Sequence, residues 1–104
     1  MIADTPAPPY YAVIFTSTLS EDTEGYEAMA AQMISLAETQ PGFLGIESAR
    51  EGLGISVSYW TDLESVRNWK LCSEHLAAQK LGKQRWYASY KVRVAKVSRD
   101  YGDD

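Results

Sequence analysis

His75 is the only histidine in 104 residues, and its side chain is the one whose ordinary pKa lies near neutrality. It is therefore the first candidate for a general base or ligand. On one unbroken helix from Leu63, His75 falls about 120° from Leu63, at roughly 100° per residue. The apolar stripe of Val66, Trp69, Leu76 and Ala77 then lies on the other side, and His75 faces solvent. A break at Cys72-Ser73, with Ser73 capping a new helix, resets that phase and turns His75 inward. Cys72-Ser73-Glu74-His75 has C-x-x-H spacing, but a zinc site takes three or four protein ligands and the chain holds no other Cys or His. Cys72 reads more simply as a small buried hydrophobe.

Trp60 and Trp69 are candidates of a second kind. An indole N–H orients a ligand oxygen while the ring stacks on a flat substrate, although both rings equally suit plain core. Tyr26 and Met29, on the preceding helix, face the same space from the opposite wall. Trp86, Tyr87 and Tyr90 stand beside Arg85. That cluster suits either an anionic ligand or a subunit seam, where Trp, Tyr and Arg are favoured, and the seam is the simpler reading.

The elements that must position these residues follow from local pattern. Three prolines in residues 1–9 prevent regular pairing and mark a flexible lead-in. Residues 10–17 (YYAVIFTS) form a β-branched and aromatic first strand, apolar on both faces. Ser20-Glu21-Asp22-Thr23 offers N-caps for a helix whose apolar stripe is Tyr26, Met29, Met33, Leu36 and Ala37, and Pro41-Gly42 ends it. Strands over 43–49 and 55–60 flank the turn Glu51-Gly52-Leu53-Gly54 and make an antiparallel hairpin. Thr61 and Glu64 have capping-box spacing and open a second helix that runs toward Gly82. A last strand covers 90–98, and an acidic tail closes the chain at 102–104.

The order β-α-β-β-α-β predicts an α+β, ferredoxin-like antiparallel sheet with two helices on one face, in one domain over 10–101. Strands apolar on both faces need a second cover, which a second copy of the sheet supplies. A homodimer is the expectation. The net charge of −4, without a long basic run, argues against nucleic acid as a partner. The N-terminal residues lack the pattern of a signal peptide, and no segment has the roughly 18 apolar residues of a membrane span. These features predict a cytoplasmic protein.

Three segments carry a family likeness: Tyr59-Trp60-Thr61-Asp62-Leu63-Glu64-Ser65-Val66-Arg67-Asn68-Trp69-Lys70, Glu74 to Gly82, and Trp86-Tyr87-Ala88-Ser89-Tyr90. With the Pro41-Gly42-Phe43 turn, they resemble the antibiotic-biosynthesis monooxygenase family, in particular its small bacterial branch. The likeness spans roughly residues 10–101. It implies a dimeric α/β-barrel with a pocket between sheet and helices in each subunit. Some members oxidise polycyclic phenols with molecular oxygen and neither metal nor flavin, and others open haem. The haem-opening members use a helix His about ten residues past a Trp, and an Asn on the first strand. Here those places hold Gln79, and Thr16 and Ser17, so that chemistry does not carry over. The resemblance thus implies a cofactor-independent monooxygenase acting on a small, flat phenolic or quinol-like compound. Its expected catalytic residues are His75, Trp69 and Trp60, its expected substrate contacts Tyr26 and Met29, with no cofactor or metal. A non-catalytic small-ligand-binding or stress-related dimer of the same fold is the alternative, and haem binding a third reading.

Overall fold

The computed structural model describes residues 2–80 and 86–102. Its elements are β1 (Tyr10–Leu19), α1 (Tyr26–Glu38), β2 (Phe43–Glu51), β3 (Leu53–Trp60), α2 (Leu63–Lys80) and β4 (Tyr87–Val97). The strands form one antiparallel sheet in the order β2-β3-β1-β4. Both helices lie on one face, which is the ferredoxin-like arrangement expected from the element order. The predicted end of α2 near Gly82, and Lys83 and Arg85 beyond it, lie outside the described residues.

Local chemistry shifts several boundaries. α1 starts later than the Ser20–Thr23 run suggests: its N-cap is Gly25, which makes no side-chain cap bond. α2 opens on Asp62 rather than on a Thr61–Glu64 box. The Asp62 carboxylate accepts from the Ser65 N–H at 2.7 Å, a bond that also holds this carboxyl below the usual carboxylate range. The β2–β3 hairpin is tighter than expected, with Glu51 opposite Leu53 and only Gly52 between them. Gly54 therefore lies inside β3, not in a turn. β4 begins three residues early, at Tyr87.

Cross-strand register decides which residues face the helices. Paired residues share a face, so Trp60, Ser58, Ser56 and Gly54 of β3 align with Tyr11, Val13, Phe15 and Ser17 of β1. The core lies at the Trp60 end, where Val13, Ala37, Trp60, Val66 and Trp69 cluster with Tyr11, Met33, Leu36, Phe43 and Cys72 against them. The helix-free face carries Ile14, Val57, Ile55 and Leu53, the last two still 43% and 52% exposed. At its other end residues 2–9 are tied down: the Ala3 N–H donates to one oxygen of Glu47 (2.8 Å) and the Tyr59 hydroxyl to the other (2.6 Å). Burial and that carboxylate push the Tyr59 phenol up to about 12.

Gly42 joins the two layers. Its φ is +85°, and its carbonyl accepts from the Thr61 N–H at 2.9 Å, bringing the start of β2 against the start of α2. A Cβ there would sit 2.6 Å from Ser65 Cβ and 2.7 Å from Thr61 Oγ1. Gly42→Ala is expected to destabilise the fold by more than about 1 kcal/mol, from the left-handed backbone and this overlap together. Urea denaturation checks it: the midpoint falls with an unchanged slope. An unmoved midpoint would show that the turn relaxes freely.

Candidate functional site

Moving along β3 away from Trp60, the residues facing the helices shrink to Ser58, Ser56 and Gly54. Small side chains on the floor leave the helices standing off from the sheet, and a cavity of about 790 Å³ fills the space. That size falls within the range of small-molecule pockets, about 300–1,000 Å³. Tyr26, Met29 and Met33 line it from α1, and Val66, Trp69 and Ala77 from α2. Its open flank is β4, where Tyr90, Val92 and Val94 face the cavity and are about half exposed. Among the described residues three cations, Arg50, Arg67 and Lys70, reach the lining against one carboxylate, Glu74.

The end remote from Trp60 is built around Arg50. This residue lies on β2 opposite Gly54 of β3, which in turn lies opposite Ser17 of β1. Because Gly54 has no side chain, the guanidinium crosses over it; a Cβ there would overlap the guanidinium itself. Nη2 donates to Ser17 Oγ at 2.5 Å and Nη1 to the Ser17 carbonyl at 3.2 Å, and Ser17 is buried. The Arg50 Cζ lies 5.8 Å from the Tyr26 ring centroid, within cation–π range.

Around this cation the aromatic rings interlock. Tyr26 meets Tyr87 edge-on at 5.8 Å, and Phe15 packs edge-on against Tyr87 (5.2 Å) and stacks on Tyr90 (5.7 Å). Trp86 is buried within the protomer rather than kept for a subunit seam. Its Nε1 donates to the Glu24 carbonyl at 2.7 Å, and its own carbonyl accepts from the Ser20 N–H at 2.7 Å. These two bonds fix the start of β4 to the connection before α1, and so fix Tyr87 beside Tyr26. Burial raises the Tyr87 phenol well above its ordinary value, and its hydrogen bond to Tyr26 adds to this while Arg50 opposes it. Tyr87 is accordingly a neutral hydroxyl at any physiological pH.

Of the residues expected from sequence, Tyr26, Met29 and Trp69 come together on the cavity wall. Trp60 does not reach it. It is wholly buried, stacked on Trp69 (5.5 Å, 24°), and its indole N–H is committed to Ser58 Oγ at 2.9 Å. His75 lies outside the lining: α2 runs unbroken through Cys72-Ser73, and His75 is exposed, as the continuous-helix phase requires. Ser73 caps no new helix, its hydroxyl donating to the Lys70 carbonyl at 3.0 Å. Cys72 packs against the core, with its thiol donating to Gln40 Oε1 at 3.5 Å. Among the described residues no three of His, Cys, Asp and Glu gather as metal ligands. Sequence reasoning missed Arg50, Ser17 and the inward role of Tyr87. The available signal was the run Gly54-x-Ser56-x-Ser58, small at every second position of a strand beside an arginine-bearing one.

Known proteins resemble this chain at three levels. A profile of the family described as antibiotic biosynthesis monooxygenase matches residues 9–81. The uncharacterized protein YqjZ of Bacillus subtilis (strain 168) is 54% identical over 100 residues, covering 94% of this chain and 88% of that protein. Among solved structures, SnoaB, a cofactor-independent oxygenase from Streptomyces nogalater, superposes with a TM-score of 0.74 at 14% identity, over 92% of this chain and 100% of that one. PA3566 from Pseudomonas aeruginosa gives 0.69 at 15% identity, over 92% of this chain and 99% of that one. At such low identities the two structures speak for the fold.

The buried state of Tyr87 has a measurable consequence. A phenol whose folded pKa is raised contributes stability that is complete below its unfolded value, near 10, and is lost as pH climbs from there toward the raised value. In a tyrosinate absorbance titration, Tyr87→Phe is expected to remove a component from the highest-pH part of the curve. Loss of a component near pH 10 instead would mean that Tyr87 is solvated.

Proposed function

Since the chain belongs to the antibiotic biosynthesis monooxygenase family, we propose that it is a cofactor-independent monooxygenase of a small, flat phenolic or quinol-like compound. The observation that carries this reading is the aromatic and methionine-walled cavity with a positive excess in its lining. A planar ring system slides between Trp69, Met29 and Tyr26 on one side and the low floor of Ser56 and Ser58 on the other. Arg50, Arg67 and Lys70, outnumbering Glu74, favour the ionised form of a bound phenol and draw its pKa down.

The protein's part is then orientation and electrostatics. The substrate anion passes one electron to dioxygen, and the two radicals combine into a carbon-bound peroxide. Breaking its O–O bond leaves one oxygen on the substrate as a carbonyl and releases the other in water. For an anthrone, a ring CH₂ becomes C=O, and the proton lost at ionisation returns in that water. Dioxygen is the only oxidant, and the substrate supplies every electron. In SnoaB, which shares the fold, an oxygenase is likewise described as cofactor-independent.

The position of His75 outside the cavity favours a second reading, in which the same dimer binds its ligand without turning it over. Oxygen uptake separates the two. With a panel of anthrones and naphthols, the oxygenase reading expects one O₂ consumed per ketone formed. Trp69→Phe should lower kcat/KM about tenfold through lost stacking and a lost N–H, and His75→Ala should leave it within about twofold. Binding without any uptake across the panel would hand the protein to the second reading. Collapse of uptake in His75→Ala would restore the histidine as base.

We further propose that the active unit is a cytoplasmic homodimer, built by apposing the helix-free faces of two sheets. Leu53, Ile55, Val57 and Ile14 supply that face with apolar surface that a lone protomer leaves partly bare. No helix among the described residues is long and apolar enough to cross a membrane. Sedimentation at micromolar concentration is expected to give twice the 11.6 kDa of the chain, and Ile55→Glu to give a folded monomer. A wild-type monomer would defeat the proposal.

A further inference from the structure

Arg50 is held in a way that ordinary surface arginines are not. It reaches across a strand position left empty by Gly54 and is pinned at two atoms by a serine from the strand beyond. Both acceptors are uncharged oxygens of one residue, so these bonds fix the guanidinium without neutralising it. A guanidinium has five N–H donors, and two bonds leave three, Nε–H among them. A planar fork with donors to spare suits the two oxygens of a carboxylate better than a single phenolate oxygen. The Tyr26 ring lies beside the cation, and Tyr87 packs edge-on against Tyr26.

The site also has a definite distance from the wall where stacking occurs. Trp60, on which Trp69 stacks, is six residues along β3 from Gly54, a span of about 20 Å in an extended strand. We infer that the ligand of this cavity is a flat aromatic acid, whose carboxylate is read by Arg50 at the Gly54–Ser17 end while its ring system extends toward Trp69. Arg50 is thereby a specificity-determining residue, and Ser17 and Gly54 are positioning residues that act through it. This deepens the oxygenase reading, on which it rests for the use of the cavity, by naming a substituent on the substrate remote from the reacting carbon.

Calorimetric titration with 2-naphthoate and its neutral isostere 2-naphthamide tests the inference without turnover. The carboxylate is expected to bind at least tenfold tighter than the amide. Arg50→Gln should erase that ratio, largely by weakening naphthoate alone, and Arg50→Lys should restore only part of it. Gly54→Ala, which drives the guanidinium from its seat while keeping it in the chain, should reduce the ratio as well; circular dichroism confirms that each variant is folded. Equal affinities in the wild-type protein, or a ratio that survives Arg50→Gln, would overturn the inference. Oxygen uptake with uncharged anthrones, measured on the same preparation, stands or falls separately: uptake with no carboxylate preference removes the aromatic acid and keeps the oxygenase. Binding of neither naphthalene, with no uptake, removes both.

Discussion

The stack of Trp60 on Trp69 couples the long helix to the sheet, and the cavity exists because that contact is confined to one end. Trp60 has no exposed surface, meets Phe43 edge-on at 5.5 Å and satisfies its N–H on Ser58. Val66 and Ala37 close around it, so the joint draws on both helices. Removing an indole from such a setting costs about 3–5 kcal/mol, a large share of the roughly 5–15 kcal/mol that holds a domain together. A hinge of this strength at one end permits the other end to stay open. The helices need not touch the floor at Ser56 or Gly54 to remain attached.

The same strand explains why the sheet needs something on its far side. Toward the helices β3 presents Gly54, Ser56 and Ser58, and away from them Leu53, Ile55, Val57 and Tyr59. Apart from Trp60, its apolar residues thus lie on the face without helices, the reverse of what a lone two-layer domain requires. The lead-in covers only the Tyr10 and Tyr59 end of that face through its bonds to Glu47. A pocket inside and an adhesive surface outside are two results of one alternation. The proposed apposition of two sheets would recover burial that a strand emptying the inner layer forgoes.

Much of this organisation was legible in the residues. Element order, the Pro41-Gly42 break and the antiparallel hairpin follow from turn chemistry and period. Tyr26, Met29 and Trp69 fall on helix stripes, and those stripes point inward. What escaped notice depends on contacts that spacing does not encode. Asp62 displaces the Thr61–Glu64 box because its carboxylate accepts from the Ser65 N–H and engages the Thr61 hydroxyl as well. Gly54 reads as a turn residue until the register places it between Arg50 and Ser17, which are 33 positions apart. Trp60 has the right type and place for a ligand contact, yet its N–H is taken two residues away by Ser58. Trp86 resembles a seam residue by composition, and only its bond to the Glu24 carbonyl reveals an internal role.

Two of those misses have a cause that bears on how the site works. For Gly54 and Trp86 the partner of a polar group is set by tertiary approach across 33 and 62 positions, while the apolar groups obey the local period. The cavity is built the same way: periodic apolar residues make its walls, and one non-local pair, Arg50 with Ser17, supplies its fixed charge. The chain as a whole carries −4, yet among the described residues the charged groups that reach the cavity are three cations and one carboxylate. A positive site in a negative molecule gains selectivity in two steps, since the outer charge discourages anions that cannot leave water for an aromatic wall. A flat anion with enough ring surface to bury overcomes that barrier through stacking and is then met by the guanidinium. The walls select for shape and the far end for charge, and the empty side chain of Gly54 is what allows the two to face one another across a single ligand.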